Sequence, residues 1–491
     1  MSTLLAIAIC SIGVAGLFYL NRNKAARTSK GLWIPIIWLI IVGSRPVTMW
    51  FGIRAISSDT LQSTLEGSST DAAIYGLLLA FGIVILLRRR KKVRPYLKLM
   101  GPLIIYSLYC LISVTWAPYS GPAFKRWTKD VGDVVMALVI ATDDDPIAAL
   151  QQLFSRIGFI LLPFSIVMIR YTDSGRAFDP EGGPMNTGVT LNKNSLGLIV
   201  FLISLGTVWS LRTLLGKRDE PNRRGRLVAQ TSLLAFGIVL LWMAHSSTSI
   251  FCFVLGSGLI LATGMRSVRT RPARVHLLCL GILLFGGLVL LLGGMGSVAG
   301  ALGRQSTLSG RTSIWAAVIP AASNPIFGEG FDSFWTSPAA DAFHHNLLNW
   351  YHAEQINEAH NGYIEVYLNL GWIGVILIAT VLITGYRRAV ASFRMNPSAA
   401  GLMLAFVVSG AFYSITEAGF RTMTPMWIFV LIAIVCSTGI SAGLWGRKSS
   451  KRAASRVYAM ANDAETNAIS TNAFSAGGGV GHSDFASANH R

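Results

Sequence analysis

The sequence places its densest group of titratable side chains directly before an apolar run. The stretch EAHNGYIEVYLNLGWIGVIL, residues 358–377, carries Glu358, His360 and Asn361, and Glu365 follows about one turn later. Imidazole exchanges a proton near neutral pH, so His360 could orient a ligand hydroxyl or deprotonate it. Glu365 could orient that ring or hold a hydroxyl. A histidine that caps the next helix, and a glutamate paired with Lys or Arg inside the protein, are the alternatives.

Two further segments suit an anionic ligand. In SGRTSIW, residues 309–315, Arg311 offers a planar fork of N–H donors that fits phosphate oxygens. A snorkelling or surface arginine is the alternative. In GVTLNKNSLG, residues 188–197, Lys193 stands between Asn192 and Asn194, where a cation and two amides suit phosphate or sugar contacts. A helix cap with a snorkelling lysine is the alternative there.

Composition places these residues in a membrane protein. Of the 491 residues, 52% are hydrophobic and 13% are charged, and the mean hydropathy is +0.52. These values are typical of polytopic membrane proteins and exclude an ordinary soluble domain. The net charge of +19 could serve a nucleic-acid binder, but Lys and Arg lie in short clusters between apolar runs. We therefore expect no nucleic-acid partner.

The apolar runs predict an all-α fold. A helix needs about 20 apolar residues to cross a bilayer core of about 30 Å, and the fifth run found here is shorter than that. We predict about 12–13 transmembrane helices, near 3–20, 32–51, 72–87, 99–116, 130–142, 157–170, 194–211, 227–244, 249–265, 276–298, 361–385, 399–416 and 425–445.

The basic clusters predict the orientation, because Lys and Arg are retained on the cytoplasmic side. They fall in every second connection, which puts the amino terminus outside, as an uncleaved anchor, and the carboxyl terminus inside. Two segments break the pattern: KRWTK, residues 125–129, and TDDDP, residues 142–146. The clusters are residues 21–30, 88–98, 216–226, 266–274, 386–394 and 446–456.

One external connection is far longer than the others, and loops of this length are usually functional. Within it, residues 303–320 predict a short amphipathic helix capped by Ser309, and several aromatic residues could stack on sugars or form a small apolar core. The predicted division is helices 1–10 in 1–298, the periplasmic loop in 299–360, helices 11–13 in 361–445 and a disordered cytoplasmic tail in 446–491.

The sequence predicts neither a metal site nor a cofactor. All five cysteines lie in apolar runs without metal-ligand spacing, so no disulfide framework or zinc site is indicated. Four histidines, His344, His345, His352 and His360, lie in or beside the long loop, but the first three form no helical i, i+4 pair.

The order of SGRTSIW, PIFGEGFDSFW and AHNGYIEVYLNLGWIG, with GVTLNKNSLG upstream, resembles the O-antigen ligase and polymerase superfamily over about residues 75–440. It is most similar to the exopolysaccharide polymerases of bacterial inner membranes. The resemblance implies a GT-C-like, metal-independent transferase with its active site on the periplasmic face. Its partners would be a polyprenyl-diphosphate-linked glycan donor, a saccharide acceptor and membrane lipids, with a chain-length regulator and a flippase as further candidates.

The resemblance also implies roles for particular residues. Arg311 would hold the diphosphate, and His360 and Glu365 would complete the catalytic set. The sequence departs from the ligases at Thr248, where they carry a second arginine; Lys193, Arg304, Arg170 or Arg421 could replace its charge. The predicted substrate-binding residues are Lys193, Asn192, Asn194, Asn361, Arg304 and His245.

Two other functions stay open. A ligase that moves the finished glycan to a lipid or protein acceptor would share the donor. A transporter of polysaccharide or small solutes would place ionisable residues at the membrane midplane and often shows internal repeats. Here no repeat is seen, and the polar candidates gather at one face, which favours an enzyme.

Overall fold

The structure is a computed structural model that describes residues 2–23, 26–52, 68–178, 182–217, 222–269, 272–291, 307–346 and 356–445. Residues 1–442 form one compact unit. Only residues 443–445 of the second unit, 443–491, are described, so the predicted tail at 446–491 lies outside the described residues.

The described chain is a bundle of α-helices, which confirms the predicted all-α class. A small antiparallel hairpin of β1 (Arg176–Phe178) and β2 (Pro184–Asn186) pairs Arg176 with Asn186 in one connection. The helices are α1 (Thr3–Leu20), α2 (Trp33–Val42), α3 (Val47–Trp50), α4 (Ser69–Arg88), α5 (Arg90–Leu99), α6 (Gly101–Ser113), α7 (Ser120–Ala141), α8 (Pro146–Tyr171), α9 (Lys193–Leu215), α10 (Arg223–Ala244), α11 (Ser247–Ala262), α12 (Arg266–Arg269), α13 (Pro272–Leu291), α14 (Thr307–Val318), α15 (Pro338–Asn346), α16 (Gly362–Ser392), α17 (Pro397–Thr416) and α18 (Pro425–Ser441).

Each predicted apolar run overlaps a helix, but not every helix has the length and apolarity of a membrane span. Seven described helices do, and α5 with the helix after it makes an eighth if this pair, bent by 84°, is counted as one span. Three runs form shorter apolar helices within Lys30–Val42, Ser247–Ala262 and Pro425–Ser441. The chain is thus a multi-pass membrane protein, while the count of 12–13 spans stays a prediction.

Short polar residues begin several of these helices. Asp145, Asn192 and Asn396 each accept a hydrogen bond from the backbone N–H three residues ahead, at the starts of α8, α9 and α17. Proline follows directly in α8 and α17, where its missing N–H costs nothing. These caps fix where each span starts and therefore which residues stand at the ends of the bundle.

The centre of the bundle consists of α9, α17 and α18. Phe154 from α8 stacks on Phe406 and Phe429 with ring centroids 5.8 and 5.7 Å apart. Of the seven described helices that could span a membrane, α1 is the least covered by protein, since only 6% of its span is buried. A helix that is apolar on all sides and uncovered by protein faces lipid in a membrane.

Contacts between helices define the two ends of the bundle. At one end, Thr248 of α11 meets Thr416 of α17, with their hydroxyl oxygens 3.1 Å apart. At the other end, Asn222 donates to the backbone oxygen of Leu20 at 2.7 Å, and Arg89 pairs with Asp143 at 3.2 Å. That second end carries the basic clusters between helices. The ion pair between Arg89 and Asp143 also accounts for the acidic segment at residues 142–146, which is an exception to the predicted charge pattern, since Asp143 neutralises Arg89.

The prediction for the fifth helix was wrong, because α7 begins at Ser120 and contains the basic KRWTK segment. Its buried carboxylates are hydrogen-bonded to other helices. Asp130 accepts from the indole N–H of Trp427, and Asp133 from that of Trp38, both at 2.8 Å. Ionisable groups at membrane depth are tolerated when they find such partners. Hydropathy discounts these residues, which is why the sequence made the helix too short.

Candidate active site

The long loop folds on a small apolar core of its own. Three side chains of this core are almost fully buried: Val318 of α14, Phe334 in the segment before α15, and Phe343 of α15. Trp335 packs against them. Of the two roles predicted for these aromatic residues, a small apolar core therefore fits the structure better than sugar stacking does. The helix predicted at residues 303–320 is α14, but it begins at Thr307, so Ser309 lies inside it and is not its cap. Trp350 and Tyr351 lie outside the described residues.

Two of the motifs behind the resemblance meet at a break in α16. Gly371 has a φ of 62°, a left-handed value that suits glycine, and it interrupts the helical hydrogen bonds. The loop segment supplies the missing partners. Trp372 N–H donates to the backbone oxygen of Pro325 at 2.9 Å, and Gly330 N–H donates to that of Asn369 at 2.9 Å. The PIFGEGF segment is thereby fixed against the helix that begins beside His360.

Arg311 and His360 meet at one carboxylate. Arg311 donates through Nη2 to Oε1 of Glu417 at 2.7 Å and through Nη1 to the backbone oxygen of Thr416. The other oxygen of Glu417, Oε2, lies 3.5 Å from Nδ1 of His360. Because Glu417 is only 5% exposed, it holds the guanidinium and the imidazole at a fixed separation.

Opposite charges continue beyond this pair. Nδ1 of His360 is 2.8 Å from Oε1 of Glu358, whose Oε2 is 3.8 Å from Nη1 of Arg421. Nε of Arg421 is 3.8 Å from Asp332, and Asp332 is 3.9 Å from Nε of Arg126 in α7. We call these residues the charged cluster: Arg126, Arg311, Asp332, Glu358, His360, Glu417 and Arg421. It accounts for the exception at residues 125–129, since Arg126 is paired there with Asp332.

The carboxylates make His360 a stronger base than an ordinary histidine. Burial alone would lower its pKa, but Glu358 and Glu417 outweigh burial and raise the pKa to about 9. The N–H of Nδ1 is not aligned with either carboxylate, so these contacts are ionic and not linear hydrogen bonds. Nε2 has no hydrogen-bond partner among the described residues, and 31% of the side chain is exposed. That nitrogen is the one open to a ligand.

Glu358 is held in its charged form. Burial alone would raise its pKa, but His360, Arg421 and Arg311 more than offset burial and lower the pKa below the ordinary value. At neutral pH the pair is therefore a carboxylate beside an imidazolium, the arrangement in which a carboxylate fixes the orientation of a catalytic histidine.

Asn361 and Glu365 fix the backbone on either side of His360. Asn361 caps α16, accepting from Tyr363 N–H at 3.0 Å and Ile364 N–H at 3.1 Å. Glu365 accepts from Ala359 N–H at 2.6 Å and from the indole of Trp335. Its carboxylate has no described contact with the ring of His360. Glu365 thus holds the chain that carries the ring, and its carboxylate also interacts electrostatically with the guanidinium of Arg421, in line with the predicted pairing to a cation.

The second polar group, at the start of α9, stays apart from the cluster. Asn192 is the helix cap, accepting from Ser195 N–H at 2.8 Å, which is the alternative stated for it. Lys193 and Asn194 are partly buried at the same end of the bundle, and no described ion pair or hydrogen bond joins Lys193 to the cluster. His245 ends α10 with a φ of 50° and is exposed.

The structure bears on the missing second arginine. Thr248 contacts Thr416, whose backbone oxygen accepts from Arg311, so this position adjoins the arginine site. Among the four candidates, Arg421 lies in the charged cluster, and Arg170 is exposed at the end of α8. Arg304 lies outside the described residues.

Three groups could in principle hold a metal ion. One ligand atom each from Glu358, His360 and Glu417 lies within 4.8 Å of the others. Arg311, however, already occupies one oxygen of Glu417, and Arg421 adjoins Glu358. Two guanidiniums beside a donor set oppose a divalent cation by charge repulsion.

Sequence reasoning missed Glu417 and Asp332. Glu417 lies in TEAGFRT, residues 416–422, a polar break between two apolar runs. A short polar connection between two membrane helices is ordinary, so this break carried no specific signal. Asp332 lies within the PIFGEGFDSFW motif itself, with a φ of 49°.

The comparisons with known proteins fit this site. A sequence model of the O-antigen ligase family matches residues 232–379, a range that contains Arg311, Glu358, His360 and Glu365. The resemblance to the O-antigen ligase family is confirmed. Glu417 and Arg421 lie beyond the matched range.

A relative extends the similarity. The exopolysaccharide production protein ExoQ of Rhizobium meliloti (strain 1021) is 26% identical over 333 residues, which cover 65% of this chain and 71% of that protein. Together, the family match and this relative support a membrane enzyme of exopolysaccharide or O-antigen-related glycan ligation or polymerisation.

Proposed function

We propose that this protein polymerises exopolysaccharide repeat units at the periplasmic face of the bacterial inner membrane. The donor is a glycan on polyprenyl diphosphate, and the acceptor is a sugar hydroxyl of another lipid-linked repeat. The observation that carries the proposal is the meeting of Arg311 and His360 at Glu417. The basic clusters at the opposite end of the bundle support the periplasmic assignment.

The reaction forms one bond and breaks one. The acceptor oxygen attacks the anomeric carbon of the donor, and the bond from that carbon to the diphosphate breaks. Its electron pair leaves with polyprenyl diphosphate. Arg311 stabilises this growing negative charge with its fork of N–H donors, without a metal ion, and Arg421 supplies the second positive charge.

His360 receives the proton of the acceptor hydroxyl at Nε2. Glu358 and Glu417 stabilise the imidazolium that results, because both carboxylates lie beside Nδ1. Glu365 is a positioning residue that acts through Ala359. The ring must first be neutral to act as a base, so the proposal requires a rate that increases with pH.

The position of the cluster suits a lipid-linked substrate. The diphosphate of such a substrate lies at headgroup level while its tail lies in the bilayer. The residues that serve it must therefore stand where membrane helices begin and end. His360 directly precedes α16 and Glu417 directly follows α17. Charged groups at this depth are tolerated in a paired cluster inside the protein.

The test uses purified protein and a synthetic lipid-linked repeat. Wild-type protein should produce polymer and release polyprenyl diphosphate. Arg311→Ala and His360→Ala should each lower the rate by about 10²–10³-fold, the usual effect of losing one group that stabilises a transition state. Arg176→Ala is the matched control, because Arg176 is exposed in the hairpin at the same end of the bundle and is not among the predicted site residues. Long polymer from both site variants would refute the assigned roles.

A ligase is the second candidate, because the matching family carries that description. Deletion of the gene separates the two functions. Loss of a polymerase leaves single repeats on the lipid, whereas loss of a ligase leaves long lipid-linked chains. Activity that disappears with EDTA and returns with a divalent cation would overturn the metal-independent part of the proposal.

A further inference from the structure

A cavity lined by several arginines lies at the end of the bundle opposite the charged cluster. Its volume is about 280 Å³, and it lies among α1, α8, α9 and α10. Three guanidiniums line it, those of Arg22, Arg156 and Arg226. No Asp or Glu is among the described residues that line it. The cavity is therefore positively charged.

Two buried oxygen atoms in its lining lack partners. Oε1 of Gln230 and Oγ of Ser210 have no hydrogen-bond partner among the described residues, and these residues are 3% and 2% exposed. The amide nitrogen of Gln230 is already used, donating to Ser155 at 2.8 Å and to Asn21 at 3.1 Å. Buried polar atoms are nearly always satisfied, so these two oxygens call for a ligand that brings hydroxyl groups.

Exposed aromatic side chains stand beside the arginines of this cavity. The guanidinium of Arg22 lies 4.0 Å from the ring centroid of Tyr19, and that of Arg156 lies 4.5 Å from that of Trp33. Tyr19 and Trp33 are 63% and 41% exposed, and α1 is mostly uncovered by protein. Exposed Trp and Tyr at the ends of apolar helices mark the membrane interface.

We propose that this cavity binds the headgroup of an anionic phospholipid with free hydroxyls, of the phosphatidylglycerol kind. The guanidiniums of Arg22 and Arg156 hold the phosphate, and the headgroup hydroxyls donate to Gln230 and pair with Ser210. Basic pockets between membrane helices bind anionic headgroups in this way. The site is separate from the charged cluster and does not depend on the polymerase proposal.

The test measures lipid binding to the full-length protein in detergent by native mass spectrometry. The probes are phosphatidylglycerol, phosphatidylcholine and soluble glycerol 3-phosphate. Wild-type protein should bind phosphatidylglycerol most tightly. The double variant Arg22→Gln/Arg156→Gln should bind it about 25-fold more weakly, since each basic residue near an anionic lipid contributes a factor of about five.

The matched control is Arg94→Gln. Arg94 is exposed on α5 at the same end of the bundle and does not line the cavity. This variant loses the same kind of charge and should stay within about twofold of wild type. If the double variant binds like the control, or if phosphatidylcholine binds as tightly as phosphatidylglycerol, the site is wrong.

Two further measurements test whether the ligand is a lipid and whether the loss of binding comes from misfolding. Glycerol 3-phosphate binding as tightly as phosphatidylglycerol would show a soluble ligand and overturn the lipid assignment. The single variant Arg22→Gln guards against misfolding, because Arg22 is exposed and its loss leaves the core intact. It should elute normally in size exclusion and still bind about fivefold more weakly than wild type.

Discussion

Glu358→Gln should shift the pH dependence of glycan transfer to lower pH. In the wild-type protein, Nδ1 of His360 lies 2.8 Å from Glu358 and 3.5 Å from Glu417, and the two carboxylates raise its pKa to about 9. A ring with this pKa is neutral in about 1% of molecules at pH 7 and in about 9% at pH 8. If His360 is the base, the wild-type rate rises about tenfold between these two pH values and levels off above about pH 9.

The variant removes the nearer of the two negative charges. The pKa of His360 should then fall toward the ordinary value of about 6.5, and the rate should level off at a correspondingly lower pH. The maximum rate should also fall, because a weaker base accepts the proton less readily. At pH 7 these two effects oppose each other, so the whole profile is measured and not the rate at one pH.

The assay follows polyprenyl diphosphate release in a single turnover from pH 6 to pH 10. Glu329→Gln is the control, because its carboxylate accepts from Ser323 N–H at 3.0 Å and lies in the same loop outside the charged cluster. The control should keep the wild-type profile. A wild-type rate that is flat or falls between pH 7 and pH 9 would refute the base role of His360, as would an unchanged inflection in Glu358→Gln.

Three further predictions concern stability. The folded-state pKa of His360, about 9, exceeds the unfolded value of about 6.5. Its ion pairs therefore stabilise the fold fully below about pH 6.5, and this stabilisation is lost as pH rises through about 9. Thermal denaturation should show this decline in the wild-type protein and a flatter pH dependence in His360→Gln. Glu365→Leu leaves the buried N–H of Ala359 and the partly buried indole N–H of Trp335 without this acceptor, and the loss at Ala359 alone should lower the free energy of unfolding by about 1–3 kcal/mol, measured by denaturant titration, whereas Glu365→Gln should cost less. Gly371→Ala would drive a Cβ into the backbone oxygen of Ile326 and should lower the yield of folded protein in size exclusion, while Gly76→Ala, with no atom within 4 Å of its new Cβ, should not.

The sequence predicted the helices well, because a membrane span needs little beyond apolarity and length. It failed at α7, where half of the helix is polar. A hydropathy window includes only residues that are neighbours in the chain. It therefore misses the hydrogen bonds from Trp427 to Asp130 and from Trp38 to Asp133, whose partners are 297 and 95 residues apart. Tertiary hydrogen bonds therefore overrode the local signal.

Distance along the chain also explains which residues of the candidate site could be predicted from the sequence. Arg311 and His360 stand in recognisable motifs, and their residue types point to phosphate and proton chemistry. Glu417 is 106 residues from Arg311, and nothing local marks it as the group that joins the two. Its role exists only because α14 and α16 dock against the same end of α17, a property of the fold and not of any short segment.

In the charged cluster, each of the three arginines is paired with an acid. Arg311, Arg421 and Arg126 each lie within 4.0 Å of a carboxylate. An unpaired guanidinium at this depth would be costly, so the acids keep the cations in place. In the proposed reaction, the diphosphate replaces Glu417 as the partner of Arg311, one anion for another. Glu417 remains beside His360, where it stabilises the imidazolium that forms when the acceptor loses its proton. One carboxylate thereby couples the occupancy of the donor site to the strength of the base.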